Sequence, residues 1–358
     1  MIETNLKHKK QLSALISLIS MFVMAANPQE IMDAAKSAFI LCASTLLPSL
    51  FPFMIASSVF INSVSAGSVR FLSPVFKFLF GISPGAAAAL IPGMICGYPV
   101  GASCSCQLYQ NNVISKSEAE SLIAFSNNSG PLFVIGAVGT GILGDARTGM
   151  LLYAIHIISA IICGIILKPF TESKKSLLQL ESNMHKKNFT DCVSDSTLTL
   201  LKICGFVVAF AVINRLIAPA INLLPQYCRC AVAGFLELTN AVALAAAGIE
   251  NNAAKLILIS GALGWSGLSV HMQVKSITAP AGLSMKKYYM TRILTCMISM
   301  ILSYFTFAAS VAPFDNSLST TFYPILAAAV VLITFSTIMK KTMTHIKKPS
   351  RYRECSKG

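Results

Sequence analysis

A short polar group interrupts an otherwise apolar stretch of the sequence. It consists of two amides, Asn127 and Asn128, the hydroxyl of Ser129, and the helix-breaking pair Gly130 and Pro131. A proline removes one helical N–H group and disturbs the carbonyls before it, so backbone and amide side chains together offer hydrogen-bond donors. A helix that restarts after the break points its positive end at an anion. The pattern predicts a site for a small carboxylate solute. The alternative is packing between membrane helices, which also uses small residues and asparagine.

A second polar group lies between Trp265 and Gln273. Its side chains Ser266, Ser269 and Gln273 can donate hydrogen bonds. His271 can donate as well, or titrate near neutral pH. We expect this group to be the counterpart, in the second half of the chain, of the two asparagines. For the lone histidine, a purely structural role is the alternative.

Two further candidates lie at turns. The run Gly97, Tyr98 and Pro99 predicts the tip of a hairpin, because glycine permits a tight turn. Tyr98 then offers a ring and a hydroxyl to a solute, or anchors the chain at the membrane interface. Glu237 and Asn240 lie in a short apolar segment, where a carboxylate is costly and suggests a function. The carboxylate can carry a proton, pair with a cation or cap a broken helix, or else reach water at the interface.

The composition indicates which class of protein positions these residues. The chain has 358 residues, of which 54% are hydrophobic and 12% are charged. Soluble domains have about 25% charged residues. We therefore predict an all-α polytopic membrane protein.

The formal net charge of +14 does not indicate nucleic-acid binding. The basic residues lie at the ends of apolar runs, which is typical of membrane topology signals. The sequence contains no phosphate-binding loop, no catalytic Ser/His/Asp order and no zinc-type spacing of Cys and His. Neither an enzyme, nor a metal, nor a cofactor is predicted.

Ten apolar segments can be assigned, and a helix needs about 20 apolar residues to cross a bilayer. They lie at 11–26, 38–62, 86–106, 121–143, 149–167, 199–222, 231–249, 253–274, 289–311 and 322–339. The first is expected to be an uncleaved membrane helix. The segments 86–106 and 231–249 carry helix breakers or polar residues, so they predict re-entrant or broken helical hairpins, which are tolerated where protein buries them.

Membrane orientation follows from the rule that basic residues favour the cytoplasmic side. If both hairpins turn back, about eight transmembrane helices remain. Most basic residues then lie inside, namely Arg70, Lys77, Lys116, the 168–190 loop, Lys275, Lys286, Lys287, Arg292 and the C-terminal tail. The basic residues predicted on the non-cytoplasmic side are Arg147, Arg229 and Lys255.

An internal repeat is suggested by two stretches, 44–62 and 196–214, which both begin with Ser-Thr as a helix-cap candidate and end in Ile-Asn. Each is followed by a hairpin candidate, a span with Ser-Gly and one more span. The charge rule starts the copies on opposite sides, so the repeats are inverted, as in secondary transporters. The predicted domains are an N-terminal segment with the first helix (1–35), repeat 1 (36–167), a cytoplasmic linker (168–198), repeat 2 (199–311) and a last helix with a basic tail (312–358).

Several motifs resemble those of one family. They are CGYPVGA at 96–102, ISKSEAE at 114–120, FSNNSGPLFVIGAVG at 125–139, FLELTN at 235–240 and GLSVHMQV at 267–274. The chain from about residue 35 to 310 resembles the sporulation integral membrane proteins of the YlbJ, or SpoVV, family. The resemblance implies a nucleoside-recognition or Gate type of domain and an endospore-forming bacterium as the source.

The resemblance also implies a function. Members of the family act in moving dipicolinic acid from the mother cell across the outer forespore membrane. The implied partners are this small dianion, the lipid bilayer and no nucleic acid, and a homo-oligomer stays open. The alternatives are a nucleoside permease and a non-transporting scaffold for spore cortex assembly. A dianion site should lack an uncompensated acid, whereas a nucleoside site would use Glu237 directly.

Overall fold

The computed structural model describes residues 2–63, 73–168 and 187–308, and every regular element within these ranges is a helix. The all-α prediction is therefore confirmed. The α-helices are α1 (Ile2–Ala26), α2 (Pro28–Leu41), α3 (Leu47–Ser63), α4 (Ser73–Phe80), α5 (Pro84–Ile95), α6 (Val100–Gln110), α7 (Lys116–Ser126), α8 (Ala146–Ile166), α9 (Phe189–Ile221), α10 (Gln226–Leu236), α11 (Leu238–Gly248), α12 (Asn252–Trp265), α13 (Gly267–Thr278) and α14 (Lys286–Ser303). Three π-helical pieces, Cys42–Leu46, Leu132–Ile142 and Tyr304–Ala308, complete the set.

Within the described residues, five helical stretches are long and apolar enough to cross a membrane, which makes the chain a polytopic membrane protein. They are Pro28–Ser63, Ala146–Ile166, Phe189–Ile221, Asn252–Thr278 and Lys286–Phe307. Helices α4 and α5, which meet at an angle of 79°, could form a sixth. Of the other predicted spans, 11–26 is one short apolar helix, 121–143 is broken, and 322–339 lies outside the described residues.

Both segments predicted to turn back form broken helical hairpins. In the first, α5 and α6 pack against each other across a tip at residues 96–99, where Gly97 has a φ of +85°. In the second, α10 and α11 are joined at Glu237 and run back along each other. Gln226 Nε2 at the start of α10 donates to the carbonyl of Leu244 near the end of α11 over 2.9 Å.

The helix after each hairpin is itself broken. Helix α7 ends at Ser126, and the chain resumes after Pro131 as the piece Leu132–Ile142, which we name the π segment. Helix α12 ends at Trp265, and α13 starts at Gly267, because Ser266 adopts a left-handed conformation with a φ of 74°. The break predicted at the Gly-Pro pair is thus present, and a second break lies at the matching Ser-Gly pair.

Helices of the first half of the chain pack against helices of the second half in reciprocal pairs. Helix α7 packs against α14, and in return α12 packs against α8. Likewise α6 packs against α13, while α11 packs against the π segment. Two copies related by a two-fold axis would give this pattern, so it agrees with the predicted repeat. The inverted orientation of the copies stays a prediction.

The start of α9 differs from the prediction. Helix α9 begins at Phe189, ten residues before the predicted span, because the N–H of Asn188 donates to Asp191 Oδ2 over 3.1 Å and starts the helix there. The predicted Ser-Thr cap at residues 196–197 therefore lies inside a helix, and the cap prediction is wrong. The matching pair at 44–45 lies in the π-helical piece within the continuous stretch Pro28–Ser63.

Several residues predicted on the cytoplasmic side are gathered at one end of the helices. Lys168 Nζ donates to the carbonyl of Phe78 over 2.7 Å. Lys287 Nζ donates to Ser117 Oγ over 3.2 Å, which brings the starts of α7 and α14 together. Arg229, predicted outside, follows the far end of α9. The side of the membrane on which each end lies stays a prediction.

Candidate functional site

The first hairpin contacts the first helix break backbone to backbone. A Cβ at Gly97 would lie 2.7 Å from the amide nitrogen of Gly130. A Cβ at Gly93 or Gly101 would lie 2.5 or 2.7 Å from the carbonyl oxygen of Ser126. Side chains cannot fit at such distances, so glycines allow the hairpin to reach the end of α7. The tip and the break therefore form one unit.

The second hairpin contacts the second break in the same way. A Cβ at Gly267 would lie 3.0 Å from the amide nitrogen of Leu238, next to the joint between α10 and α11. Trp265 Nε1 donates to the carbonyl of Phe235 over 3.0 Å. His271 Nε2 donates to the carbonyl of Trp265 over 2.9 Å. His271 thus caps the C-terminal end of α12 by donating a hydrogen bond to the carbonyl of its last residue.

Several polar groups at the first break are hydrogen-bonded to neighbouring helices. The amide N–H of Ala102 in α6 donates to Asn127 Oδ1 over 3.2 Å. The N–H of Ser129 donates to His156 Nε2 over 3.0 Å, and Ser129 Oγ donates to the Tyr98 hydroxyl over 3.1 Å. The break is therefore tied to the hairpin tip on one side and to α8 on the other.

Asn128 binds an arginine from the last described α-helix. Arg292 Nη2 donates to Asn128 Oδ1 over 3.2 Å and to the carbonyl of Ala124 over 3.0 Å. The Asn128 amide in turn donates to the carbonyl of Phe125 over 2.8 Å. A guanidinium thus satisfies the carbonyl end of α7, where the helix dipole favours a positive charge.

Arg292, one of the basic residues predicted on the cytoplasmic side, is buried within the protein and not exposed to water. Its side chain is fully buried, and its guanidinium lies 5.4 Å from the ring centre of Tyr288. Helix α14 begins at Lys286, so Arg292 lies well inside it. The charge rule assumes that a basic side chain seeks water, but here the carbonyls at the end of α7 replace water as acceptors.

Sequence reasoning missed His156 and Arg292 as site residues. His156 lies in the middle of the apolar helix α8. The side chain of Asp145 caps the start of that helix and accepts from the N–H of Thr148 over 3.0 Å. Hydrogen bonds from Thr148 hold the pKa of the Asp145 carboxyl below its usual range. The signal that could have found both residues is their position in apolar spans, where an ionisable side chain suggests a function.

Glu237 caps a helix, which is one of the roles expected for it. Its Oε2 accepts from the N–H of Asn240 over 3.1 Å and from the hydroxyl of Thr239. The carboxylate therefore faces the positive N-terminal end of α11. Asn240 contributes its backbone to this contact and is half-buried.

A cavity of about 100 Å³ lies where the two hairpin tips approach each other. Four of the predicted site residues line it, namely Tyr98, Gly130, Glu237 and Gln273. Its other walls are mostly apolar and come from α2, α3, α9, α13 and the π segment. They include Leu41, Phe53, Phe133, Ile203, Val207 and Val270.

The remaining predicted site residues do not line this cavity. Asn127, Asn128, Ser129, Ser266, Ser269 and His271 are buried among helices at the two breaks. In this structure they form hydrogen bonds within their own helices or with neighbouring helices, and solute contact by them stays a prediction. Within the described residues, no three His, Cys, Asp or Glu side chains are close enough to hold a metal ion.

The architecture defines a class of protein: a polytopic integral membrane protein with two broken helices and two helical hairpins around a central cavity. A comparison with known proteins adds the family. The chain is 30% identical to the sporulation integral membrane protein YlbJ of Bacillus subtilis (strain 168), with 78% of this chain and 79% of that protein aligned. The chain therefore belongs to the YlbJ family and is a membrane protein involved in sporulation.

Two other comparisons found nothing. No family model matches the chain, so the Gate type of domain stays a prediction. No solved structure matches it either.

Proposed function

We propose that this chain transports dipicolinic acid, a small planar dicarboxylate, from the mother cell across the outer forespore membrane. The observation that carries the proposal is the meeting of both hairpin tips and the first helix break at one cavity, which α13 also lines. Secondary transporters bind solutes near the membrane midplane between broken helices of two repeats. Membership in a family of sporulation membrane proteins supports the biological setting.

The cavity suits a small flat solute with polar ends. Its walls are largely apolar, and Tyr98 and Gln273 are among the polar residues that line it. Binding sites for small molecules commonly combine apolar walls with a few polar groups that fix orientation. A pyridine ring with two carboxylates has the matching chemistry.

The capping role of Glu237 removes the main objection to an anion. A free carboxylate in the cavity would repel dipicolinate. Because Glu237 accepts from Asn240 N–H and Thr239, its charge is directed at the N-terminus of α11. The acid is therefore compensated, as a dianion site requires.

A nucleoside permease is the second candidate. Glu237 and Gln273 both line the cavity and could accept or donate hydrogen bonds to a ribose or a base. That function would need the Glu237 carboxylate to leave its cap and bind the solute. The two candidates therefore differ in whether transport depends on the charge of this side chain.

Uptake by vesicles that contain the purified protein tests the proposal. Labelled dipicolinate and labelled nucleosides are supplied separately, and empty vesicles give the background. We expect uptake of dipicolinate and not of nucleosides. Uptake of nucleosides alone would support the permease, and uptake of neither would favour a scaffold and contradict both transport functions.

A further inference from the structure

Arg292 is buried without enough acceptors for its donors. A guanidinium has five N–H donors. Only Nη2 is used, while Nε and Nη1 have no partner in the part of the chain that the structure describes. No carboxylate there forms an ion pair with it. An unpaired charge is expensive to bury, so a counter-charge is expected.

The side chains around Arg292 also lack acceptors. Asn127 Nδ2 and the Tyr288 hydroxyl are both fully buried and lie close enough to interact with each other, and neither has a further partner within the described ranges. His156 Nε2 accepts from Ser129 N–H, so the neutral ring carries its proton on Nδ1, which is unpaired as well. The region around the first break therefore has an excess of donors. A small molecule rich in acceptor oxygens would complement it.

The region lies directly behind the cavity wall. Gly130 lines the cavity, and Asn128, two residues earlier, binds Arg292. Between them, Ser129 Oγ donates to Tyr98, which is also a wall residue. Movement of the first hairpin tip away from the break would thus open the cavity towards the guanidinium.

We propose that Arg292 binds a carboxylate group of the transported solute. This inference rests on the proposed transport function and gives it a binding group that the cavity wall itself lacks. A carboxylate supplies the missing counter-charge, and its two oxygens accept from a guanidinium in charge-assisted hydrogen bonds. In the structure the guanidinium is fully buried, so binding at Arg292 requires the movement of the hairpin tip described above.

Binding of dipicolinate to the purified full-length protein in lipid nanodiscs tests the assignment. The variant Arg292→Gln removes the charge, and Arg292→Lys keeps the charge but loses the planar donor array. We expect binding to weaken by about thirtyfold or more in Arg292→Gln, the range seen when a buried charged partner is lost. Arg292→Lys should bind more weakly than the wild type and more tightly than Arg292→Gln.

A matched control is available in Arg215 of α9. Its guanidinium is half-exposed and already pairs with Glu30 over 3.2 Å. The variant Arg215→Gln also removes one arginine charge, so it should bind dipicolinate as the wild type does. Equal weakening in both variants would mean that net charge matters rather than the site, and would overturn the assignment.

A measurement on the wild type avoids dependence on the folding of the variants. Phenylglyoxal modifies arginines, and mass spectrometry of peptides reports each site. Dipicolinate should slow modification of Arg292 and leave that of Arg215 unchanged. Absence of protection, or equal protection by chloride at the same concentration, would overturn carboxylate binding at Arg292.

The two proposals can fail separately. If the wild type transports dipicolinate and both Arg292→Gln and Arg292→Lys bind it as tightly as the wild type does, only the role of Arg292 is wrong. If the wild type neither binds nor transports dipicolinate, both proposals are wrong.

Discussion

Arg292 Nη2 donates to Asn128 Oδ1 over 3.2 Å, across 164 residues of sequence. The contact joins α14 to the break that ends α7. Because α7 ends inside the protein, its last carbonyls have no water to bind, and the guanidinium replaces water there. One side chain thus stabilises the break and, in our proposal, also receives the solute.

Replacing Asn128 by aspartate should uncouple stability from transport. The new carboxylate can pair with Arg292, which should offset the lost donation from the Asn128 amide to the Phe125 carbonyl, so folding should be retained. It would, however, occupy the position of the solute's carboxylate. We expect dipicolinate uptake to fall at least about tenfold, with the thermal unfolding temperature equal to or above that of the wild type. Wild-type uptake by Asn128→Asp would contradict this prediction.

The variant Asn128→Ala should instead lose both properties. It leaves a buried donor of Arg292 without its acceptor, which costs about 1–3 kcal/mol in the free energy of unfolding. Reduced dipicolinate uptake with normal membrane insertion is expected. Unchanged flux in vesicles would argue against a role for the asparagine in transport.

Gly93→Ala should separate the first hairpin from the end of α7. Its Cβ would lie 2.5 Å from the carbonyl oxygen of Ser126, so the backbone must shift. Overpacking of this kind costs about 1–3 kcal/mol. The matched control is Gly205→Ala in α9, where a Cβ meets no atom within 4 Å and stability should be kept or raised. Thermal unfolding of both purified variants measures the difference, and similar temperatures would refute the tight contact.

His156→Leu should destabilise the first break from the other side. The N–H of Ser129 would stay buried without its acceptor, at a cost of about 1–3 kcal/mol in the free energy of unfolding. His156→Gln, whose amide oxygen can accept a hydrogen bond, should cost less. Chemical unfolding in detergent compares the two, and equal losses would show that the ring is needed for packing rather than as an acceptor.

Glu237→Asn should distinguish an anion from a nucleoside as the solute. Asparagine is among the best helix-capping residues, so the start of α11 should be preserved while the charge is removed. We expect dipicolinate uptake to be retained or increased. A nucleoside permease that uses the carboxylate would lose its activity instead, and a loss of dipicolinate uptake at unchanged stability would argue against the proposed function.

Cysteine labelling should place the starts of α7 and α10 on opposite sides of the membrane. The native Cys228 near the start of α10 is exposed, and Lys116→Cys marks the start of α7. In a background with Cys355→Ser, a membrane-impermeant maleimide should label Cys228 from outside intact cells and position 116 only in inverted vesicles. Labelling of both positions from one side would overturn the topology.

Local sequence was sufficient for the class of fold, the two hairpins and the first helix break. Long apolar runs predict membrane helices because the bilayer leaves the backbone few alternatives. The Gly-Tyr-Pro run and the Gly130-Pro131 pair predict interruptions because these residues restrict or relax the backbone wherever they occur. For Glu237, sequence left several roles open, and the hydrogen bond with Asn240 N–H selected the cap.

Tertiary structure alone decided what the breaks contact. The sequence by itself determined an all-helical membrane protein with two hairpins and a break at Pro131, since each of these depends on residues within one segment. It could not place Arg292 at Asn128 or His156 at Ser129, because those pairs come from helices far apart in the chain. Where a buried charge finds its partner depends on how helices pack, and only the folded arrangement contains that information.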